Sequence, residues 1–348
     1  MAIELEDLCT TVQQNLDTLA TQNYPAFNRR PVGLLDAVRS DVNRAGFSEK
    51  YRVDDGDGKL KQVVIEWAQP VPVSTTVTSE QDVCEAGTEE PRFLDTVELT
   101  GYAGTRVMEF SEEALRKYCE SPSQVETMRI AQHLSGLFEK IDQILVSKFN
   151  AGVGGLLPGA TNTLPLLHYD TDGQTTVAKA DGEIKLLTQL SDMGVVGTPL
   201  VVGSGFIEEY ARLKDIACCN EFGQDLSRQM GAFNWYKDRE VDRMLAGSNN
   251  ILAFAPGAVQ MATYNKFRGE FRKEVPGLFR HTTIIDPVTG IELDMLWKYD
   301  DCNFVWRLHI GLHFDLFMMP LELFKDADEF DGINYAWLYQ GTKTGADS

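Results

Sequence analysis

Long uninterrupted hydrophobic runs are missing from this sequence. No stretch approaches the roughly 18–20 apolar residues that a membrane-spanning helix requires, so we expect no transmembrane segment. The N-terminal residues Met1–Asp7 are acidic and lack the basic region and apolar stretch of a secretory signal. The sequence therefore excludes both of these routes into or across a membrane.

Cysteine and histidine are scarce, with six cysteines and five histidines in 348 residues. The cysteines are scattered along the sequence and form no CxxC motif, and only Cys218 and Cys219 are adjacent. This pattern fits neither a zinc ribbon nor a disulfide framework. We therefore expect a reduced protein of the cytosol.

Basic residues are outnumbered, because 32 lysines and arginines face 52 acidic residues, which gives a formal net charge of −20. Such a surface repels nucleic-acid phosphates and anionic lipid headgroups. The apolar content of 43% is nevertheless ordinary for a globular protein, and the length suggests about two domains.

Recognisable catalytic motifs are also lacking, since neither a P-loop nor a GxSxG sequence is present. Gly203-Ser204-Gly205 lies between a predicted strand and a predicted helix, as a dinucleotide fingerprint does, but Glu208 stands where the third glycine belongs. A tight strand-to-helix turn is the favoured interpretation. A nucleotide-dependent cytosolic enzyme stays open as an alternative.

Two histidines give the nearest approach to a metal motif. His309 and His313 have the helical spacing of zinc-protease ligands, but Ile310 replaces the glutamate that such a motif needs. On a strand they share one face about 13 Å apart, too far to bind one ion. Surface or interface histidines are favoured over a metal-dependent enzyme.

Three calcium-like fragments are interpreted as turns: Asp54–Gly58, Asp170–Gly173 and Asp326–Gly332.

Hydrophobic periodicity predicts the elements of an α+β protein. Two short helical patterns occupy the first 46 residues, and strand-like alternation follows from Tyr51 to Phe110. A helix of about 40 Å is predicted over 122–149, with Pro122 in its first turn. A compact α/β block follows, and then strands that end in alternating residues from Phe304 to Leu316, again about 40 Å long. The matched lengths predict an elongated layer of helix on sheet.

Charge is unevenly distributed between two segments. Glu80–Glu98 holds seven acidic residues against one arginine, whereas Arg228–Arg280 holds nine basic residues against five acidic ones. Solvated faces would explain both, but electrostatic docking between subunits is the functional alternative. The candidate inter-subunit contacts are Glu80, Asp82, Glu85, Glu89, Glu90, Asp95, Arg239, Arg243, Lys266, Arg268, Arg272 and Lys273.

The order of these parts resembles the major capsid proteins of tailed phages with the Hong Kong 97-like fold. The resemblance covers nearly the whole chain and depends on architecture, ending in the long strand that closes with His313–Pro320. It implies an N-terminal arm over 1–46 and an extended E-loop over 47–110. It further implies a peripheral domain over 111–167 and 265–348, with spine helix 122–149, and an axial domain over 168–264.

The resemblance implies a structural protein without catalytic activity or cofactor. Identical subunits would form hexamers and pentamers of an icosahedral head that encloses double-stranded DNA without sequence-specific binding, assembled in the host cytoplasm. Scaffolding, portal and decoration proteins are the expected further partners, and the start at Met1 without a long helical leader implies a separate scaffold or a mature form. The shell of an encapsulin-like nanocompartment and a tail-tube or neck protein are the structural alternatives.

Overall fold

The described part of the chain folds as an α+β protein, which confirms the predicted class. The computed structural model describes residues 5–21, 32–42, 48–53, 61–67, 93–111, 122–155, 161–169, 176–178, 181–192, 198–217, 233–264, 279–300, 302–303, 305–318 and 335–344. None of the helices in these ranges combines the length and hydrophobicity needed to cross a membrane.

Six helices are described, and the predicted long helix is confirmed among them. They are α1 (Leu5–Thr21), α2 (Gly33–Val42), α3 (Pro122–Gly152), α4 (Asp181–Asp192), α5 (Gly205–Ala217) and α6 (Glu240–Met244). The spine helix α3 has 31 residues, or about 46 Å at 1.5 Å each, and begins at Pro122 as predicted. Its apolar stripe, which includes Leu134, Phe138 and Ile141, is fully buried.

The described residues contain fifteen strands, which form three sheets. A three-stranded antiparallel sheet, here called the excursion sheet, has the order β1 (Ser48–Val53), β2 (Lys61–Trp67), β3 (Phe93–Glu98). The long sheet contains β4 (Gly101–Gly104), β5 (Met108–Ser111), β11 (Val259–Tyr264), β12 (Phe279–Ile285), β13 (Glu292–Asp300) and β14 (Val305–Met318). The mixed sheet contains β6 (Thr163–Tyr169), β7 (Thr176–Ala178), β8 (Leu200–Gly203), β9 (Asn234–Lys237), β10 (Asn250–Phe254) and β15 (Ala336–Thr344).

Strand β14 organises the long sheet because strands pair with it along both edges. One edge pairs with β13 over residues 305–311 and then with β11 over residues 313–318. The other edge pairs with β5 over residues 305–308 and with β4 over residues 311–314. The predicted alternation holds, since Leu308, Ile310, Leu312 and Phe314 are all fully buried.

The spine helix and β14 lie side by side and run in the same direction. Near the start of the helix, Arg129 donates a hydrogen bond to the Glu109 carbonyl, and Glu109 is the β5 partner of Arg307. Farther along, Lys148 forms an ion pair with Asp315, and Gly152 comes close to Met318. Fourteen residues of β14 span about 46 Å at about 3.3 Å each, so the predicted helix-on-sheet layer of matched length is confirmed.

Two details differ from the predicted strand plan. The strand-like alternation predicted from Tyr51 to Phe110 divides between two sheets, because β1, β2 and β3 form the excursion sheet whereas β4 and β5 join β14. The proposed axial domain over 168–264 includes β11, which pairs with β14, while β15 of the proposed peripheral domain pairs with β10 and β6 in the mixed sheet. These are pairings between segments far apart in the chain, which local periodicity does not encode.

The first two helices, which form the predicted arm, pack on the rest of the chain. Val12 and Leu16 of α1 and Leu34, Leu35 and Val38 of α2 are buried within the common hydrophobic core. Gly33 begins α2 against the backbone of Lys237, where a Cβ atom would lie 2.5 Å from the Lys237 carbonyl oxygen. The start of α2 therefore has no room for a side chain.

Two glycines in helices should respond to alanine in opposite directions. Gly136 is exposed within α3 and has open space where a methyl group would be added, so Gly136→Ala should raise the free energy of unfolding by about 0.5–1 kcal/mol. Gly33→Ala should lower it by about 1–3 kcal/mol because the backbone of Lys237 must move. Denaturant unfolding of the purified chain measures both, and a destabilised Gly136→Ala protein would contradict the open environment.

The Asp315 carboxylate gives a second prediction. Burial would raise its pKa, but the hydrogen bonds from Lys148, from Thr100 and from the Leu316 N–H outweigh burial and leave the pKa below its ordinary value. A lowered pKa stabilises the fold above the ordinary aspartate pKa of about 3.9, and this contribution disappears as the pH falls through the native pKa.

We expect Asp315→Asn to lower the free energy of unfolding at neutral pH by about 1.5–3 kcal/mol, since charge-assisted hydrogen bonds are lost. Urea unfolding at pH 7 and at decreasing pH measures the difference, which should shrink toward low pH. The exposed Asp192→Asn serves as the control. An equal difference at pH 7 and at pH 3 would contradict the assigned ionisation.

Candidate inter-subunit surfaces

The described structure covers two of the twelve predicted contact side chains. Arg239 and Arg243 lie at the start and the end of the short helix α6, and both are exposed. For Asp95 only the backbone is described, in β3 opposite Ile65 of β2. The remaining nine lie outside the described residues: Glu80, Asp82, Glu85, Glu89, Glu90, Lys266, Arg268, Arg272 and Lys273.

The charge of Arg243 is already partly compensated within its own chain. Its guanidinium Nη1 lies 3.5 Å from a carboxylate oxygen of Glu139 on the spine helix and 3.3 Å from one of Glu240. The described part of the basic segment therefore presents exposed guanidinium groups beside acidic neighbours of the same subunit. This arrangement makes the local surface less positive than the residue count alone suggests.

The excursion sheet places apolar positions in register across its three strands. Val63 of β2 is paired with Tyr51 of β1 and with Val97 of β3, and Trp67 is paired with Phe93. Registered partners occupy the same face of an antiparallel sheet. A two-stranded hairpin is marginally stable in water, and a third strand that shares an apolar face is one of the features that stabilise a small sheet.

The two histidines lie on β14, on one face, as predicted. Tyr102 of β4 lies between them: its phenol is 2.5 Å from His309 Nε2, and its ring centroid is 4.5 Å from that of His313. Gly311 makes this possible, because a Cβ atom there would collide with the Tyr102 phenol. Burial and then the neighbouring Asp294 carboxylate raise the pKa of the Tyr102 phenol, so it is a neutral hydrogen-bonding group near pH 7.

Tyr102 carries no signal in the sequence, because its position depends on the register of β4 against β14, which pairs Tyr102 with His313. The resulting cluster is half-exposed on the outward face of the long sheet, with Tyr102 itself 47% exposed. In the described ranges no three histidine, cysteine, aspartate or glutamate side chains come together as a metal site would require. The arrangement is suited to hydrogen bonding and ring stacking at a surface.

The Gly203–Gly205 turn is occupied by contacts within the chain. The Ser204 hydroxyl donates a hydrogen bond to Asp242, and the same carboxylate accepts the Asn250 N–H at 2.7 Å. Glu208 at the start of α5 forms ion pairs with Lys237 and with Arg212. Hydrogen bonds from Lys237 and Arg212 lower the pKa of Glu208, so a carboxylate stands where a nucleotide would place its phosphates. These contacts favour the predicted tight turn over a nucleotide site.

Two buried aspartates at the start of α2 were not predicted. Asp142 of the spine helix and Asp238 after β9 are both fully buried. A signal for Asp142 was present in the sequence, since it lies four residues after Phe138 and four before Val146 and so continues the apolar stripe. Nothing local to Asp238 marks it, because its burial follows from the docking of α2.

The three calcium-like fragments, the Cys218-Cys219 pair and the part of the predicted strand-like segment over 68–92 all lie outside the described residues. Cys302, which is described, is an exposed free cysteine.

No protein-family model matches this sequence, and no curated protein matches it significantly. Similarity to solved structures is found over most of the chain. The capsid asymmetric unit of cyanophage A-1(L) is 12% identical at a TM-score of 0.49, covering 88% of this chain and 92% of that one. The capsid of Ralstonia phage GP4 is 11% identical at a TM-score of 0.43, covering 82% and 85%. The capsid of Staphylococcus phage Andhra is 8% identical at a TM-score of 0.41, covering 85% and 80%.

Proposed function

We propose that this chain is the major capsid protein of a tailed double-stranded DNA bacteriophage. Identical copies would assemble into hexamers and pentamers of an icosahedral head that encloses the genome. The observation that carries this proposal is the pairing of a 31-residue helix with a 14-residue strand in one parallel layer. A helix and a strand of equal length, held together from Arg129 to Gly152, make a stiff plate about 46 Å long.

A plate of this kind is suited to a mechanical role. The long sheet and the spine helix share one core, and Trp297, Phe110 and Phe314 are among its largest fully buried side chains. Proteins that act on small molecules use a concave site lined by a few convergent polar groups. The polar features of the described residues are instead spread over outward faces or engaged in contacts between elements of the same chain. We therefore propose a structural role without catalysis or cofactor.

The excursion sheet supplies the reach that a shell subunit needs. It is connected to the plate where β3 ends at Glu98 and β4 begins at Gly101. In the proposed head, the rows that contain Val63 and Trp67 are placed against the plate of a neighbouring subunit, where burial of apolar surface would stabilise the contact. Contacts around a ring of identical subunits are heterologous, and rotational symmetry closes them.

Electrostatics would then set the register between neighbours. A subunit with a net charge of −20 repels its copies, so assembly needs local pairs of opposite charge and should depend on salt. The acidic segment Glu80–Glu98 and the basic segment Arg228–Arg280 are the proposed partners. The enclosed DNA is confined without sequence-specific binding, and scaffolding, portal and decoration proteins are the proposed further partners. Assembly is assigned to the host cytoplasm, and the mature location is the virion.

Electron microscopy of the expressed chain tests the proposal. We expect closed shells at high subunit concentration, either alone or with a scaffolding protein encoded nearby. Tubes or open rings in all conditions would point to a tail-tube or neck protein, and closed shells filled with a protein cargo would point to a nanocompartment. A compact monomer that retains a nucleotide or a metal ion and turns over a small molecule would overturn the proposal.

Charge reversal tests the docking of the acidic segment. Glu89, Glu90 and Asp95 changed together to lysine should reduce the yield of particles, because the reversed charge repels the basic segment of the neighbour. The subunit should stay folded by circular dichroism. As a control with the same change in net charge, the exposed Asp17, Asp181 and Asp192 are changed to lysine.

A complementary variant makes this test specific. Reversal of Arg239, Arg268 and Arg272 to glutamate should also impair assembly, and mixing the two variants should restore particles if the segments meet across subunits. Wild-type particle yield from the acidic-segment variant would discard the docking model while leaving the shell function in place.

A further inference from the structure

A buried pair of acidic side chains lies where the arm, the spine helix and the mixed sheet meet. Asp142 projects from α3, and Asp238 follows directly after β9. Both residues have an exposed fraction of 0%. Neither has a part in the proposed assembly, although burying two carboxyl groups together is costly.

The two carboxyl groups hold the first turn of α2. The Leu34 N–H donates a hydrogen bond to Asp238 Oδ2 at 3.0 Å, and the Leu35 N–H donates one to Asp142 Oδ1 at 3.3 Å. The first N–H groups of a helix have no partner within the helix, so acceptors here satisfy them. Asp238 Oδ1 also accepts the Glu240 N–H at 2.8 Å and so fixes the start of α6.

The geometry requires a proton between the two side chains. Burial raises the pKa of Asp238, but the N–H donors at both of its oxygens oppose that rise, so Asp238 is the more readily ionised of the two. Asp142 Oδ2 is buried, and among the described residues no donor reaches it. A proton on Asp142 completes a hydrogen bond to the Asp238 carboxylate. Burial, and next the adjacent Asp238 charge, raise the pKa of Asp142 well above its ordinary value.

The charged groups around the pair also favour the protonated form. From α2, Asp36 adds negative charge near Asp142, while Arg39 of the same helix interacts with Asp36 and Asp286. From α6, Glu240 adds negative charge near Asp238, and Arg243 lies against Glu240 and against Glu139 of α3. The other elements packed nearby also carry titratable groups. Lys237 of β9 forms an ion pair with Glu208, and Asp17 of α1 is exposed. The titratable group of β11 is Tyr264.

We propose that Asp142 and Asp238, sharing one proton, form a latch that docks helix α2 on the subunit and releases it when the proton is lost. Without the proton, two carboxylates would face each other in a buried space, and withdrawal of α2 would let water reach both. The latch is independent of the proposed shell function.

The direction of the pH dependence follows from proton counting. The docked state holds one proton on the pair, whereas in the undocked state both aspartates have the ordinary pKa of about 3.9 and are ionised near neutral pH. The stabilisation of docking is therefore complete below about pH 4. As the pH rises above this value, the equilibrium constant for docking falls by up to tenfold per pH unit. Once the pH passes the raised pKa of Asp142, the stabilisation is lost.

Hydrogen exchange of the full-length protein, followed by mass spectrometry between pH 5 and pH 9, tests the latch. After correction for the intrinsic exchange rate, protection of the Leu34 and Leu35 amides should fall as the pH rises. Asp142→Asn keeps the shape of the side chain and can still donate to Asp238, but it does not titrate in this range. Its protection should therefore be nearly independent of pH, while the exposed Asp192→Asn should behave like the wild type. Amides of β10 report global unfolding in the same samples.

Infrared spectroscopy of the wild-type protein gives a second measurement that does not depend on how a variant folds. At neutral pH a carbonyl band of a protonated carboxyl group is expected in the wild type and should be absent from Asp142→Asn. Wild-type protection that does not change between pH 5 and pH 9, or the absence of the protonated-carboxyl band, would overturn the proposal. Equal pH dependence in Asp142→Asn and the wild type would overturn it as well.

Discussion

The pairing of β14 along both edges is the constraint on which the rest of the structure depends. A strand of fourteen residues would be exposed at an edge, but here it is enclosed by β13 and β11 on one side and by β5 and β4 on the other. With both edges paired, its apolar face has one large surface to cover it, the spine helix. The length of β14 thus determines how long a helix can pack along it. The Lys148–Asp315 ion pair fixes how the helix and the strand are aligned.

The proposed function depends on the stiffness of the plate and on the reach of the excursion sheet. The same strand that builds the plate receives β4, and β4 is connected through two residues to the end of the excursion sheet. The excursion sheet is therefore joined to the central strand of the plate by a short connection, Leu99 and Thr100. In the proposed shell, this connection would join the sheet that reaches a neighbour to the stiff plate, and the polar surface features would serve contact between subunits.

The start of α2 shows how an acidic chain uses buried charge. Most of its 52 acidic residues can be solvated, but Asp142 and Asp238 are buried because they satisfy helix N–H groups that would otherwise lack acceptors. Satisfying the backbone in this way makes the docking of α2 depend on a proton. Gly33 belongs to the same arrangement, since its missing side chain lets the helix start approach Lys237 closely enough for both carboxyl groups to reach it.

The sequence by itself determined the elements whose pattern is local. The stripe through Leu134 and Phe138, the proline at the start of α3 and the alternation from Leu308 to Phe314 are periodic, so the long helix, the long strand and their matched lengths could be predicted. Tertiary structure alone decided which segments pair: β4 and β5 join β14, β15 joins the mixed sheet, Tyr102 lies between two histidines, and Asp238 comes to meet Asp142. Each of these contacts joins residues that are distant in the chain. The favourable free energy of each contact comes from burial and hydrogen bonds, and these exist only after the segments have met.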